Sequence, residues 1–355
     1  MNCLPNRLGR NEMAKLSLRE PVERIISLSA FDRSLAEELA KLDSPSIDSP
    51  HHFLLCHGAV SQSVYMGTHL LDHLYRLPNA QSPGNQADLV PIMLYRSILD
   101  IGDSIALLLR TEASSTAQIL LRSLFETLLS LKFVLYDNCF HQERARAYLA
   151  GTYIQRYRDY LKYDPSTEQG KAFQATLDKD SRLADANFPQ HNFAAERRIM
   201  EAILNRPEYL RYWEEYQKIK THPKRRYKKW YQLCSSADSL DKLAEEVGEL
   251  SHYSLVYSSL SEKTHGENVF REVIFGGPSG QVHIHALRGP WTSVKQVAVG
   301  TTLLLFSSHE IIRQTFLDVN SQTTKNYLDW YGSYRDFFPW LRGVEEGPIT
   351  NRPCP

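Results

Sequence analysis

Hydrophobic positions recur with a helical period along most of the chain. From Pro21 to Leu42, residues Val22, Ile25, Ile26, Leu28, Leu35, Leu39 and Leu42 fall near one stripe. This predicts a helix opened by a proline in its first turn. The SPSIDSP run at 44–50 reads as a linker, and a long helix follows over 51–77 until Pro78. Segments 87–110 and 114–137 carry apolar residues around much of their circumference, as buried bundle helices do. Only residues 111–113 separate them, which predicts an antiparallel pair. A further helix spans 139–163 and stops before Pro165.

The pattern then changes. Residues 164–232 hold few aliphatic side chains and many Tyr, Arg and Lys, and read as short helices joined by loops. Helical spacing returns over 239–264, 290–316 and 318–340. The one β signal is Val269–Phe275 and Gln281–Leu287 flanking the GGPSG turn at 276–280. The expected fold is mainly α, a multi-helix bundle with one β-hairpin. Its parts are an N-terminal helical segment (1–50), a first half of the bundle (51–163), a basic aromatic helical insertion (164–235), a second half carrying the hairpin 269–287 (236–340), and a flexible tail (341–355).

Composition narrows the function. Lys plus Arg and Asp plus Glu are each 41, so the net charge is zero and 42% of residues are hydrophobic. That excludes a disordered chain and a wholly basic nucleic-acid-coating protein, and leaves a local basic patch open. Cys3, Cys56, Cys139, Cys234 and Cys354 are scattered without a CxxC pair, against a disulfide framework or a cysteine zinc site. Residues 1–20 lack the apolar core of a signal peptide, and the longest apolar run, 297–306, is about half a membrane span. The expectation is a cytoplasmic protein with no membrane partner.

Two motifs carry candidate chemistry. Arg122 and Glu126 sit four residues apart in an otherwise apolar helix, on one face. Charges in such a setting are paired or functional, because an isolated buried charge costs several kcal/mol. The pair is either a structural ion pair with a neighbouring helix or part of a site; Arg96, Asp100 and Asp103 on the preceding helix follow the same logic. In YSSLSEKTHG, residues 257–266, Ser261 and His265 are also four apart, near a helix end with Gly266 as terminator. His265 either moves a proton or caps the last carbonyls.

RSLFETLLSLKFVL followed much later by YSSLSEKTHG resembles a bacterial helical family, domain-of-unknown-function family 5677, over roughly Val90–Phe306. The Ser-x-x-x-His-Gly ending is also similar to that of the HEPN helical ribonuclease superfamily, where an Arg, a polar residue and a His on one helix cleave RNA in a dimer. Here Leu260 stands at the Arg position and Ser261 at the polar one. The resemblance implies a metal-independent endoribonuclease or a degenerate binding relative, without cofactor, with RNA and a second copy as partners. In that reading His265 moves a proton and Arg122 steadies the phosphate beside Ser261 and Glu126. A role in stress or phage defence follows by analogy only.

A third feature is independent of the resemblance. Residues 206–231 hold nine Lys or Arg against three Glu, interleaved with Tyr and Trp. Cations meet phosphates and rings stack on unpaired bases, so Arg211, Trp213, Lys224, Arg225, Arg226, Lys228, Lys229 and Trp230 are candidate nucleic-acid contacts. The other reading is a solvated surface whose rings pack against the bundle. No metal is expected. His69 and His73 share a helix face without a third ligand, and His283 and His285 alternate on a strand. No GxGxxG, Walker or GxSxG motif is present. A non-enzymatic helical adaptor remains the competing function.

Overall fold

The computed structural model describes residues 52–77, 86–137, 139–179, 192–223, 226–257, 273–276, 281–284 and 291–337. The expected helix 21–42, the tail, and both Ser261 and His265 lie outside them. The protein is mainly helical. Its elements are α1 (His52–Tyr75), α2 (Gln86–Arg110), α3 (Ser114–Leu135), α4 (His141–Tyr163), α5 (Glu168–Leu177), α6 (Phe193–Leu204), α7 (Pro207–Thr221), α8 (Leu240–Glu246), β1 (Val273–Gly276), β2 (Gln281–Ile284), α9 (Trp291–Phe316) and α10 (Gln322–Phe337). A 3-10 turn at Trp230–Leu233 follows α7, and a single turn at Leu250–His252 runs into a π-helical turn at Tyr253–Tyr257. β1 and β2 pair antiparallel, Val273 opposite Ile284 and Gly276 opposite Gln281; the connecting turn is outside the described residues.

The chain divides into two compact units. The first holds α1, residues 96–124 of α2 and α3, the strands, α9 and α10. Its helices carry wide apolar faces, and Leu70, Ile98, Leu109, Leu305 and Ile312 are buried. His57 Nδ1 donates to Ala106 O across α1 and α2 at 3.0 Å, and Tyr334 Oη of α10 donates to Ala59 O of α1 at 2.8 Å. His309 of α9 is fully buried; its Nε2 donates to Ser63 O at 3.0 Å and lies 3.2 Å from Ser63 Oγ. A carbonyl only accepts, so the ring is the neutral Nε2–H tautomer.

Burial holds the His309 imidazolium down, to a pKa of about 3 from 6.5. The unfolded chain therefore binds the extra proton first. Stability is fully present above pH 6.5 and falls between pH 6.5 and about 3, by about 1.4 kcal/mol per pH unit at most. His309→Leu is expected to flatten that limb of the stability curve, measured by urea unfolding against pH.

The second unit holds the beginning of α2, residues 125–135 of α3, and the chain from α4 through the π-helical turn. α4 presents Ala147, Ala150, Ile154 and Tyr157 to Met200 and Leu204 of α6, to Tyr209, Tyr212 and Tyr216 of α7, and to Leu233. The small residues let the rings approach the helix closely. Cys56 and Cys234 are free thiols that burial pushes up to about 12.

Candidate functional site

The basic aromatic stretch builds most of the site, and its rings and its cations go to different places. Trp213 stacks on Tyr216 with centroids 5.3 Å apart and meets the edge of Tyr157 at 5.1 Å. Trp230 packs on Tyr148 at 5.0 Å and Phe133 at 5.6 Å. Tyr212, Tyr216 and Tyr231 are buried, and burial pushes the Tyr231 phenol up to about 12. Both tryptophans proposed from the sequence to stack on bases are thus packed against protein rings. An apolar ring of this size gains more from a dry neighbour than from water.

The charged heads stay outside. Arg226, Lys228 and Lys229 are exposed, and Lys224 and Arg225 lie outside the described residues. Arg211 is paired with Glu143 at 2.7 Å and donates to Tyr212 Oη. Lys229 Nζ lies 3.8 Å from Glu126 Oε2. Arg226 and Lys228 have no ion-pair partner among the described residues.

Those two cations line a pocket of about 240 Å3 with Ile219, Gln232, Ser235, Ser236, Ala237 and Asp238. The 3-10 turn shapes it. Gln232 Oε1 accepts from Lys228 N at 2.7 Å and Lys229 N at 3.1 Å, fixing the basic residues against the turn. Ser235 Oγ donates to Glu246 at 2.6 Å and accepts from Ala237 N at 3.0 Å. Asp238 pairs with Lys242 at 2.9 Å, which holds its carboxyl below the usual range.

A second polar cluster joins α3 to the chain after α8, and its pairing has no sign in the sequence spacing. α8 ends in a Schellman motif: Glu249 N donates to Ala244 O and Gly248 N to Glu245 O, with Gly248 at φ +77°. The continuous helix expected over 239–264 therefore breaks here, because Gly248 takes the left-handed conformation that glycine tolerates. The turn delivers Glu249 onto Lys132. Both are buried, and Lys132 Nζ donates to Glu249 Oε1. His252 Nδ1 meets Glu249 Oε2 at 2.6 Å. Eight residues on, Tyr257 Oη donates to Glu126 Oε1 at 2.8 Å. The 249–257 segment thus runs along α3 in the opposite direction.

Burial would raise the Glu249 carboxyl, but the His252 bond and the Lys132 ammonium hold it below its ordinary value. An ionised carboxylate only accepts, so Nδ1 of His252 carries the proton it donates to Glu249. The signal was present in the sequence. Lys132 sits in the same apolar helix as Arg122 and Glu126, and the same argument about buried charge applies to it.

Arg122 and Glu126 are half-buried on α3, Arg122 in the first unit and Glu126 in the second. Arg96, Asp100 and Asp103 are exposed on α2, so the three face solvent and need no buried partner, against the expected polar seam. His73 Nδ1 lies 3.3 Å from Thr323 Oγ1, and His69 is held down by burial. Among the described residues no group of three or more His, Cys, Asp or Glu is arranged to hold a metal, and no helix is long and apolar enough to cross a membrane.

A model described as a family of unknown function (DUF5677) matches residues 88–277, more than half of the chain. The pocket, the Lys132–Glu249–His252 cluster and the Glu126–Tyr257 bond all fall inside that range. No curated protein and no solved structure matches the chain.

Proposed function

The chain belongs to that family of unknown function, and we propose that it binds single-stranded RNA through phosphates at Arg226 and Lys228. The observation that carries this reading is a pair of exposed cations, without ion-pair partners among the described residues, converging on a polar pocket in a chain of zero net charge. With Trp213 and Trp230 packed inward, base stacking contributes little. Binding is therefore ionic, tolerant of sequence and steeply dependent on salt. The proposal includes HEPN-like, metal-independent cleavage of the bound strand with His265 transferring a proton, in a cytoplasmic setting.

Fluorescence anisotropy with a short labelled RNA tests the binding. Arg226→Glu with Lys228→Glu is expected to weaken it by at least about tenfold, since two attractive contacts become repulsive. Unchanged affinity in the double variant would remove the proposal and favour the adaptor reading, in which this surface meets a protein. Cleavage is tested with chelator present. His265→Ala is expected to abolish it and leave binding intact, while cleavage that survives in His265→Ala but disappears in His252→Ala transfers the role to His252.

A further inference from the structure

The pocket beside Arg226 and Lys228 has a donor set more specific than a general affinity for phosphate. Several of its side-chain acceptors are already engaged within the protein. Gln232 Oε1 takes two backbone N–H groups, Ser235 Oγ lies between Glu246 and Ala237 N, and Asp238 holds Lys242. What the wall offers a ligand is a guanidinium, an ammonium, the Gln232 amide N–H groups that face away from its engaged oxygen, and the Ser236 hydroxyl. All can donate hydrogen bonds to a ligand oxygen.

The charge count points the same way. Arg226 and Lys228 outweigh Asp238 in the wall, and Asp238 is itself paired with Lys242. A phosphate monoester is close to a dianion at neutral pH, whereas a phosphodiester carries one charge. Size agrees. The volume of about 240 Å3 is below the range of roughly 300–1,000 Å3 typical of sites that enclose a whole small molecule. A phosphate group is smaller than such a molecule and fits within the pocket. A diester needs a groove open at both ends, because chain leaves it on two sides; a terminal phosphate needs a pocket.

We propose that this pocket binds the terminal phosphate monoester of a nucleic-acid strand, with Arg226 and Lys228 as the charge-matching pair and Gln232 and Ser236 as the neutral donors. The inference rests on the RNA-binding reading and specifies which part of the strand is held. Arg226 takes two phosphate oxygens with its planar fork, Lys228 approaches as a point charge, and the strand leaves through the open side.

The test uses the full chain and one RNA sequence in three forms: 5′-phosphate, 3′-phosphate, and hydroxyl at both ends. One or other phosphate-ended form is expected to bind about tenfold tighter than the hydroxyl form, the effect of one added charge-assisted hydrogen bond. Which form gains identifies the end recognised. Lys228→Gln, at an exposed position, is expected to erase the difference while circular dichroism stays unchanged. Equal, measurable binding of all three forms would overturn the terminal-phosphate assignment and leave RNA binding standing. Absence of binding by every form would overturn both.

Discussion

Gly151→Val is expected to destabilise the second unit by about 3 kcal/mol or more, seen as a lower urea midpoint with an unchanged slope. Gly151 is buried on α4 where the helix meets the 3-10 turn. A Cβ there would stand 2.3 Å from Trp230 Cβ and 3.1 Å from Trp230 Cα. Neither atom is the loose end of a side chain, so α4 or the turn must move. Either movement disturbs Trp230 against Phe133 and Tyr148, and with it the chain that sets Lys228 and Lys229. The smaller Gly151→Ala is expected to lose less stability but still weaken RNA binding. A variant as stable as wild type would show that the helix and the turn do not meet as described.

Lys132→Ala is the second large effect, about 3–5 kcal/mol. The cost comes less from losing the attraction than from leaving Glu249 ionised and buried beside an apolar helix. Lys132→Met combined with Glu249→Leu is therefore expected to regain most of the loss, which separates a buried unpaired charge from lost packing. The pH dependence has a definite sign. The folded Glu249 carboxyl titrates below its ordinary value of 4.5, so the pair's contribution is present above pH 4.5 and is lost as pH falls through the lower folded value. Urea midpoints at pH 7 and pH 4 on wild type and the double variant measure it. A loss below about 1 kcal/mol in Lys132→Ala would contradict the burial of this pair.

The helices were legible because burial imposes a period that the residues must obey. Segments 87–110 and 114–137 appear as α2 and α3 with small shifts at their ends, joined by a turn in which Thr111 N and Ala113 N donate to Leu108 O. What periodicity does not carry is the identity of partners. Lys132 and Glu249 are 117 positions apart, and nothing in their spacing joins them until Gly248 breaks the helix and aims Glu249 inward. The aromatic stretch shows the same limit in another form. Composition placed cations and rings together at 206–231, and only packing separates them, Trp213 and Trp230 against protein rings and Arg226 and Lys228 to solvent. Ser261 and His265 lie outside the described residues, so the part of the reading that rested on the HEPN resemblance stands as a proposal tested by cleavage.

Salt dependence counts the phosphate contacts of bound RNA without assuming a sequence or an end. The logarithm of the RNA association constant is expected to fall linearly with the logarithm of salt concentration, by about 0.7 per phosphate neutralised on a single strand. Replacing both cations, Arg226→Gln with Lys228→Gln, is then expected to make the slope shallower by about 1.4 and to weaken binding similarly across unrelated RNA sequences. An unchanged slope in the double variant would contradict the claim that these two side chains hold RNA phosphates.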